Sequence, residues 1–339
     1  MTRMIPGPDS RQPQPFAPYH QIPGQLAWWL AEVRIADTAS VGALEFTPLV
    51  HAGPFGPAPM LLHDAIASGA LQVGEHAGGV VNTVVARNLG KLPVLILEGE
   101  SIVGAKQNRV VTADVMIAPG AEACVPVGCV ERGRWDHVSH SAKFAVAEVP
   151  VEPMMRARAV REVREQGHLD QSRLWSDVDE KLSTHEVRSD SANYHAFTQH
   201  AQADVNAMLK DVPRVDGQVG LLACAEGRLV ALDVLGVPEN WTSIGDRLAK
   251  SYLFAGLDML ATAGAPKRKR GFFGRMREEA PVAPVTGTPQ EWIKHIAGAR
   301  VLTRRGIGMG STIGLESPAL HGAGLWVDDA PAHVAVFGQ

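Results

Sequence analysis

The stretch RVVTADVMIAPGAEACVPVGC, residues 109–129, carries the pattern on which the fold turns. Apolar and polar residues alternate from Arg109 to Ile117, which places Val111, Ala113, Val115 and Ile117 on one face of a strand. Pro119-Gly120 closes the run with turn chemistry. Ala123, Val125, Val127 and Cys129 then share a face of a second strand, in which Pro126 requires a sheet edge or a bulge. Upstream, Leu44–Val50 reads as a strand and Leu61–Ser68 as a short helix stopped by Gly69. Val80–Arg87 is a strand ending in Asn88-Leu89-Gly90, and Val94–Leu97 is a buried apolar run. Short strands joined by tight turns predict an antiparallel sheet or sandwich.

Downstream the period changes. Leu174, Trp175, Val178 and Leu182 mark one amphipathic helix, and Tyr194, Phe197, Val205, Met208 and Leu209 mark another. Val219–Ala223 and Leu229–Leu235 flank Glu226-Gly227 as a hairpin. Pro238 opens a long helix with the stripe Trp241, Ile244, Leu248, Tyr252 and Leu260, and Thr288-Pro289-Gln290-Glu291 is a capping box for a helix to about Ala299. The tail returns to strands at 300–303, 312–315, 325–327 and 334–337. The fold class is therefore α+β: a strand-rich antiparallel part over 23–150, packed with a mixed helix and antiparallel-sheet part over 151–339. A proline-rich mobile arm over 1–22 precedes them, and an exposed basic, Pro/Ala-rich loop spans 265–287. The two parts are expected to form one continuous unit.

The 339 residues are 45% apolar and 20% charged, with 32 Lys plus Arg against 36 Asp plus Glu and a formal net charge of −4. That balance gives no global attraction for nucleic acid or an anionic membrane, so neither is expected as a partner. Three cysteines cannot build a disulfide framework, and no CxxC pair offers a zinc site, so no metal is assigned. The first residues lack the apolar core of a secretory signal, which with free cysteines predicts a cytoplasmic protein.

Chemistry-bearing side chains crowd one region: Glu98-Gly99-Glu100, then Lys106-Gln107-Asn108-Arg109, then Cys129 to Trp135. On a strand, Glu98 and Glu100 would face the same way, and two like charges held close raise one pKa, as an acid/base pair requires. Lys106, Arg109 and Arg134 suit carboxylate or phosphate, and Gln107 and Asn108 suit hydroxyls or amides. The set fits an anionic, hydroxyl-bearing ligand, with Glu100 and Glu131 as candidate general acid or base. Equally, the cations could neutralise the carboxylates in an ion-pair network that fixes the loops. Cys129 is a further candidate, as a nucleophile near Arg132, Arg134, His137 and His140 or as a small apolar filler. His185, His195 and His200 read as helix-surface residues. Gly306–Ser311 reads as a glycine-rich hairpin, and Lys267–Arg275 as a solvated basic loop.

The segments GESIVGAKQNR and PVGCVERGRW resemble the signature of the ARG-and-rhodanese-phosphatase-superfamily-associated protein domain, a bacterial family of unknown function. The resemblance continues through Asp170–Trp175, through Gly227–Asp233 and into His333–Phe337. Gly128 stands where the family pattern has serine. The family's name implies association with ADP-ribosylglycohydrolases and phosphatase-like proteins. The resemblance thus implies a small phosphorylated, ribose-containing metabolite, NAD- or ADP-ribose-linked, as partner. It implies neither a cofactor nor an oligomeric state. Three functions follow as expectations: an enzyme that hydrolyses or transfers such a metabolite, a non-catalytic sensor that binds it, or a structural protein whose charged cluster is an ion-pair core.

Overall fold

Gln218–Ala225 and Arg228–Leu235 are apolar on both faces, which suits strands covered from two sides. They pair as an antiparallel hairpin, and Glu226 and Gly227 turn it with φ of 50° and 74°. In the computed structural model, which describes residues 20–21, 24–76, 82–134, 144–263 and 285–339, this hairpin is the middle of a ten-stranded sheet. The order is His20–Gln21, Arg300–Arg305, Ser311–Glu316, Leu320–Val327, Ala330–Gly338, Arg228–Leu235, Gln218–Ala225, Leu44–His51 and Val33–Ile35, with Ala39–Val41 also on Leu44–His51. The first part of the chain thus enters the same sheet as the last. The expected arm (apart from His20 and Gln21), Trp135, His137, His140 and the basic stretch Lys267–Arg275 lie outside the described residues.

Alternation along the strands explains the layers. Leu221, Ala223, Ala231 and Leu235 face Ile244, Leu248 and Tyr252 of the long helix Pro238–Ala263. Leu222, Cys224, Leu232 and Val234 face Leu26, Leu30, Trp292 and Ile296 of helices Gln25–Ala31 and Pro289–Ala297. The second of these helices has the expected capping box, with Thr288 and Glu291 satisfying each other's backbone amides. No helix among the described residues is long and apolar enough to cross a membrane.

Two smaller sheets carry the strand-rich region. One is antiparallel, in the order Phe144–Val146, Ser101–Gly104, Arg109–Val111, Glu122–Cys129, Thr83–Asn88, Leu71–Glu75. The other has the order Ile307–Gly308, Val115–Ile117, Val94–Ile96, Met60–Leu61, and both outer pairings are parallel. The single strand expected over 109–117 is therefore two strands in two sheets. The alternation misled because Val111, Val115 and Ile117 do share one core, although the chain turns through Thr112–Asp114 between them. Pro126 sits where Glu122–Cys129 changes partner: residues 122–126 pair with 83–87, and residues 127–129 with 109–111. The helix expected over 194–209 is broken into Tyr194–His200 and Gln202–Met208, ending in a short 3₁₀ turn.

Periodicity did not expose the helix Pro153–Gln166, although Pro153 at its first position and Gly167 in the left-handed region beyond its end are proper start and stop signals. Its buried face includes Arg156 and Glu162, which interrupt the apolar stripe. Arg156 is wholly buried and joins its helix to the large sheet and to the turn after Val94–Ile96. Its Nη1 and Nη2 donate to Asp233 Oδ2 and Oδ1 at 2.8 and 2.6 Å, and its Nε and Nη2 donate to Glu98 Oε1 at 3.0 and 2.5 Å. Its guanidinium also lies over the Phe337 ring. His333 continues the chain, with Nε2 2.9 Å from Asp233 Oδ1 and Nδ1 2.9 Å from Asp114 Oδ1. The Tyr252 hydroxyl donates to Asp233, and the Glu98 amide donates to Asp114.

Three buried carboxyls thus face two buried cations. Burial disfavours charge on all of them, and the outcome differs by partner. Burial pushes Glu98 up more than Arg156 pulls it down. For Asp233 burial is outweighed by Arg156 and His333, which hold its carboxyl well below the usual range. Burial likewise opposes charge on His333, but Asp114 and Asp233 overcome it and raise the imidazole to about 10. Gly99 lets the turn approach this group: its φ is 84°, and a Cβ there would lie 2.6 Å from Arg156 Nε.

Removing the central cation should therefore be severe. Arg156→Ala should lower the unfolding free energy by about 3–5 kcal/mol in urea melts, because two carboxyls are left buried without it. A loss below about 1 kcal/mol would show that the network does not hold the layers. The wild type should also lose stability with alkali. His333 holds its proton more tightly folded than unfolded, so its contribution is complete below its ordinary value of 6.5 and gone above about 10. The urea midpoint should fall steadily across that window, and a flat profile would contradict a charged His333.

Candidate functional site

Ser101–Gly104 and Arg109–Val111 form a hairpin whose tip holds Ala105, Lys106 and Gln107, with Ala105 at a φ of 44°. Arg109 is in register with Cys129, so the end of Glu122–Cys129 lies beside that tip. The two charged stretches of the sequence are thereby brought together. Asn108 is buried at the junction. Its amide donates to Glu131 Oε2 at 3.2 Å, its Oδ1 accepts from the Gly104 amide at 3.0 Å, and its Nδ2 donates to Asn193 Oδ1 at 3.3 Å.

Glu131 is almost wholly enclosed. Arg134 donates to its Oε2 from Nη2 at 2.7 Å and Nε at 3.1 Å, and Ser191 Oγ donates to Oε1 at 2.7 Å. Burial alone would raise Glu131, but these donors and the Asn108 amide outweigh it and lower its pKa. Arg134 Nη1 also donates to the Ala105 carbonyl at 2.6 Å, which straps the hairpin tip. Arg109 is buried, with Nη2 3.3 Å from Glu75 Oε2. Lys106 is half-buried, and its amide donates to Glu75 Oε1 at 3.4 Å. Gln107 Nε2 donates to the Arg132 carbonyl at 3.4 Å.

Glu98 and Glu100 do not form the expected pair on one face of a strand, because residues 97–100 make a turn. Glu98 goes to Arg156, whereas Glu100 accepts from the Leu97 amide at 3.1 Å and from Arg247 Nη1 at 3.0 Å. Cys129 is buried, and both its backbone groups bond the Gln171 carboxamide at 2.8 Å. Burial pushes its thiol up to about 11, so it is protonated at neutral pH. Gly128 packs under the helix Gln171–Thr184: a Cβ there would lie 2.3 Å from Leu169 Cδ2 and 2.9 Å from Leu174 Cδ2.

A cavity of about 450 Å³ opens beside the junction. Val103, Gly104 and Asn108 form one wall and residues 145–149 a second. Asn193, His195, Thr198, Gln199 and Gln202 line a third, and Lys250 and Phe254 of the long helix complete the lining. Lys250 Nζ lies 2.5 Å from Glu148 Oε1, and Gln202 Nε2 donates to Glu148 Oε2. Asn193 Oδ1 caps the helix Tyr194–His200 by accepting from the His195 amide at 3.0 Å, so Asn108 and this helix share one anchor. Among the described residues, no three His, Cys, Asp or Glu side chains are placed to hold a metal ion.

Of the site residues proposed from the sequence, Asn108 alone borders the cavity; Glu131 and Arg134 are held in their own ion pair. His195, expected on a helix surface, is buried, whereas His200 is exposed and His185 bonds Asp258 at 2.9 Å. Asn193, His195, Gln202, Glu148 and Lys250 were not found from the sequence. For His195, Gln202 and Lys250 the local signal is a polar residue on an amphipathic helix, for Asn193 it is a helix cap, and Glu148 lies in a bend.

The family model for the ARG and Rhodanese-Phosphatase-superfamily-associated Protein domain matches residues 32–337, nearly the whole chain, and the chain belongs to that family. Searches of curated proteins and of solved structures returned no match. The segments that carry the family likeness hold Asn108, Glu131, Arg134, Gln171, Asp233 and His333, which lie in the junction or in the Arg156 network.

The two neighbouring arginines should separate by burial. Arg134→Ala leaves Glu131 enclosed and uncompensated, and should cost about 3–5 kcal/mol in urea unfolding. Arg132, paired with Asp179 at 2.8 Å on the surface, should cost under about 1 kcal/mol when changed to alanine. Equal losses would refute the assignment of Glu131–Arg134 as a buried structural pair.

Proposed function

We propose that the protein binds a small phosphorylated, ribose-bearing metabolite in the cavity beside the hairpin tip, without turning it over. The observation that carries this reading is the cavity itself. At about 450 Å³ it falls in the size range of small-molecule sites, and it is lined by the carboxamides of Asn108, Asn193, Gln199 and Gln202 with Thr198 and a Glu148–Lys250 pair. Carboxamides offer both donors and acceptors to sugar hydroxyls, and Lys250 is the lining cation that a phosphate would meet. The family's association with ADP-ribosylglycohydrolases and phosphatase-like proteins directs the choice toward NAD- or ADP-ribose-linked compounds.

Binding without turnover is preferred to hydrolysis because each candidate acid or base already serves another partner. Glu131 holds Arg134, Glu100 holds Arg247, and the Cys129 thiol is pushed toward the protonated form. Lys106, Gln107, Arg109 and Arg134 then act as a scaffold for the hairpin tip. A purely structural role draws its support from the enclosed Glu131–Arg134 and Arg109–Glu75 pairs. The two readings diverge at the cavity.

Thermal-shift and calorimetric titrations with ADP-ribose, NAD, ribose 5-phosphate and inorganic phosphate distinguish them. Saturating ligand at about 100 times Kd should stabilise the protein by about 2.7 kcal/mol. Ala145→Trp, at an exposed position on the cavity wall, should abolish that response while leaving unliganded stability unchanged within about 0.5 kcal/mol. If no ribose-bearing compound shifts the melting temperature, the binding function is wrong and the ion-pair role stands.

A further inference from the structure

His195 borders the cavity, and its Nε2 is buried and meets no hydrogen-bond partner among the described residues. Such an atom gives up its water without replacement, which makes a buried polar side chain expensive to keep. The residue is 7% exposed, and its ring stands edge-on to Tyr194, with ring centroids 5.7 Å apart. Its backbone is held on both sides: the amide donates to Asn193 Oδ1 at 3.0 Å, and the carbonyl accepts from Thr198 Oγ1 at 3.1 Å. The fold therefore fixes the backbone from which this imidazole projects before any ligand arrives.

Charge decides what it would meet. Burial lowers the imidazole to about 4 against a weaker opposing pull from Glu131, so the ring is neutral at neutral pH. A neutral imidazole presents one donor and one acceptor, which match a hydroxyl, and it lacks the charge that attracts phosphate. Asn108, Asn193 and Gln202 on the same cavity have the same preference. The Glu148–Lys250 pair supplies no net charge, although Lys250 can turn from Glu148 to an anion.

We infer that His195 is the ligand-contacting group for the uncharged, hydroxyl-bearing sugar moiety, which lies against His195 and Asn193 with any phosphate directed to Lys250. This assignment rests on the binding function proposed above, and it adds which residue reads the sugar and how the ligand is oriented.

Replacing an unpartnered buried polar group by an apolar one of similar shape should not weaken the empty protein, whereas replacing a structural histidine should. His195→Phe is therefore expected to keep or raise the melting temperature without ligand and to weaken ribose 5-phosphate and ADP-ribose at least tenfold by calorimetry. His195→Gln, which restores a donor and an acceptor, should recover part of that loss. Lys250→Met should weaken ribose 5-phosphate more than unphosphorylated ribose, and His195→Phe should weaken both alike. A fall in melting temperature for both His195 variants, or undiminished affinity in His195→Phe, overturns the assignment while leaving ligand binding intact. A wild type that binds none of these probes overturns the binding function and this assignment together.

Discussion

The guanidinium of Arg156 is the point at which the separate layers are made to agree. It comes from the helix Pro153–Gln166, reaches Asp233 in the centre of the large sheet, and grips Glu98 at the turn that leads out of Val94–Ile96. His333 extends the same chain to Asp114, just before Val115–Ile117. Apolar packing alone tolerates small slides between layers, since it is non-directional. A bidentate arginine with four fixed donor contacts does not, and burying charge makes any misalignment costly. The excess of one carboxyl over the cations agrees with the upward push on Glu98.

That constraint reaches the cavity through a short covalent path. Glu98-Gly99-Glu100 runs directly into the strand Ser101–Gly104, whose Val103 and Gly104 line the cavity. The turn is stitched further by the Gly99 amide to the Val111 carbonyl at 2.8 Å and by the Val151 amide to the Gly99 carbonyl at 2.9 Å. Glu100 and Arg247 then tie it to the long helix, which supplies Lys250 and Phe254 to the cavity lining. The charged motif therefore acts mostly behind the cavity. Glu131–Arg134 closes the hairpin tip, and Asn108 passes that rigidity to Asn193 and its helix.

Local rules performed well wherever the determinant was itself local. The Glu226-Gly227 hairpin, the Thr288–Glu291 capping box and the stripe Trp241, Ile244, Leu248, Tyr252 need only neighbours a few residues away and appear where expected, whereas Leu260, the last residue of that stripe, is exposed. The strand over 109–117 failed because alternation reports a shared core face, not a continuous hydrogen-bond ladder. The helix at 153–166 escaped because its buried face carries Arg156 and Glu162, whose partners are distant in sequence. An aspartate inside the apolar run Leu229–Leu235 and a histidine inside Ala330–Phe337 were the available hints of a buried network.

By itself, the amino-acid sequence determined the α+β class, most of the helices and hairpins, the family, and the two charged stretches that meet at the junction. Each of these depends on side-chain period, turn chemistry or residue type within a short window. Tertiary structure alone decided which charge pairs with which: Glu98 with Arg156, Glu100 with Arg247, Arg109 with Glu75, and Glu131 with Arg134. It also decided that His195 is buried beside a cavity. The physical reason is that ion pairing and burial depend on distance through space, and several of these partners lie tens to more than a hundred residues apart along the chain.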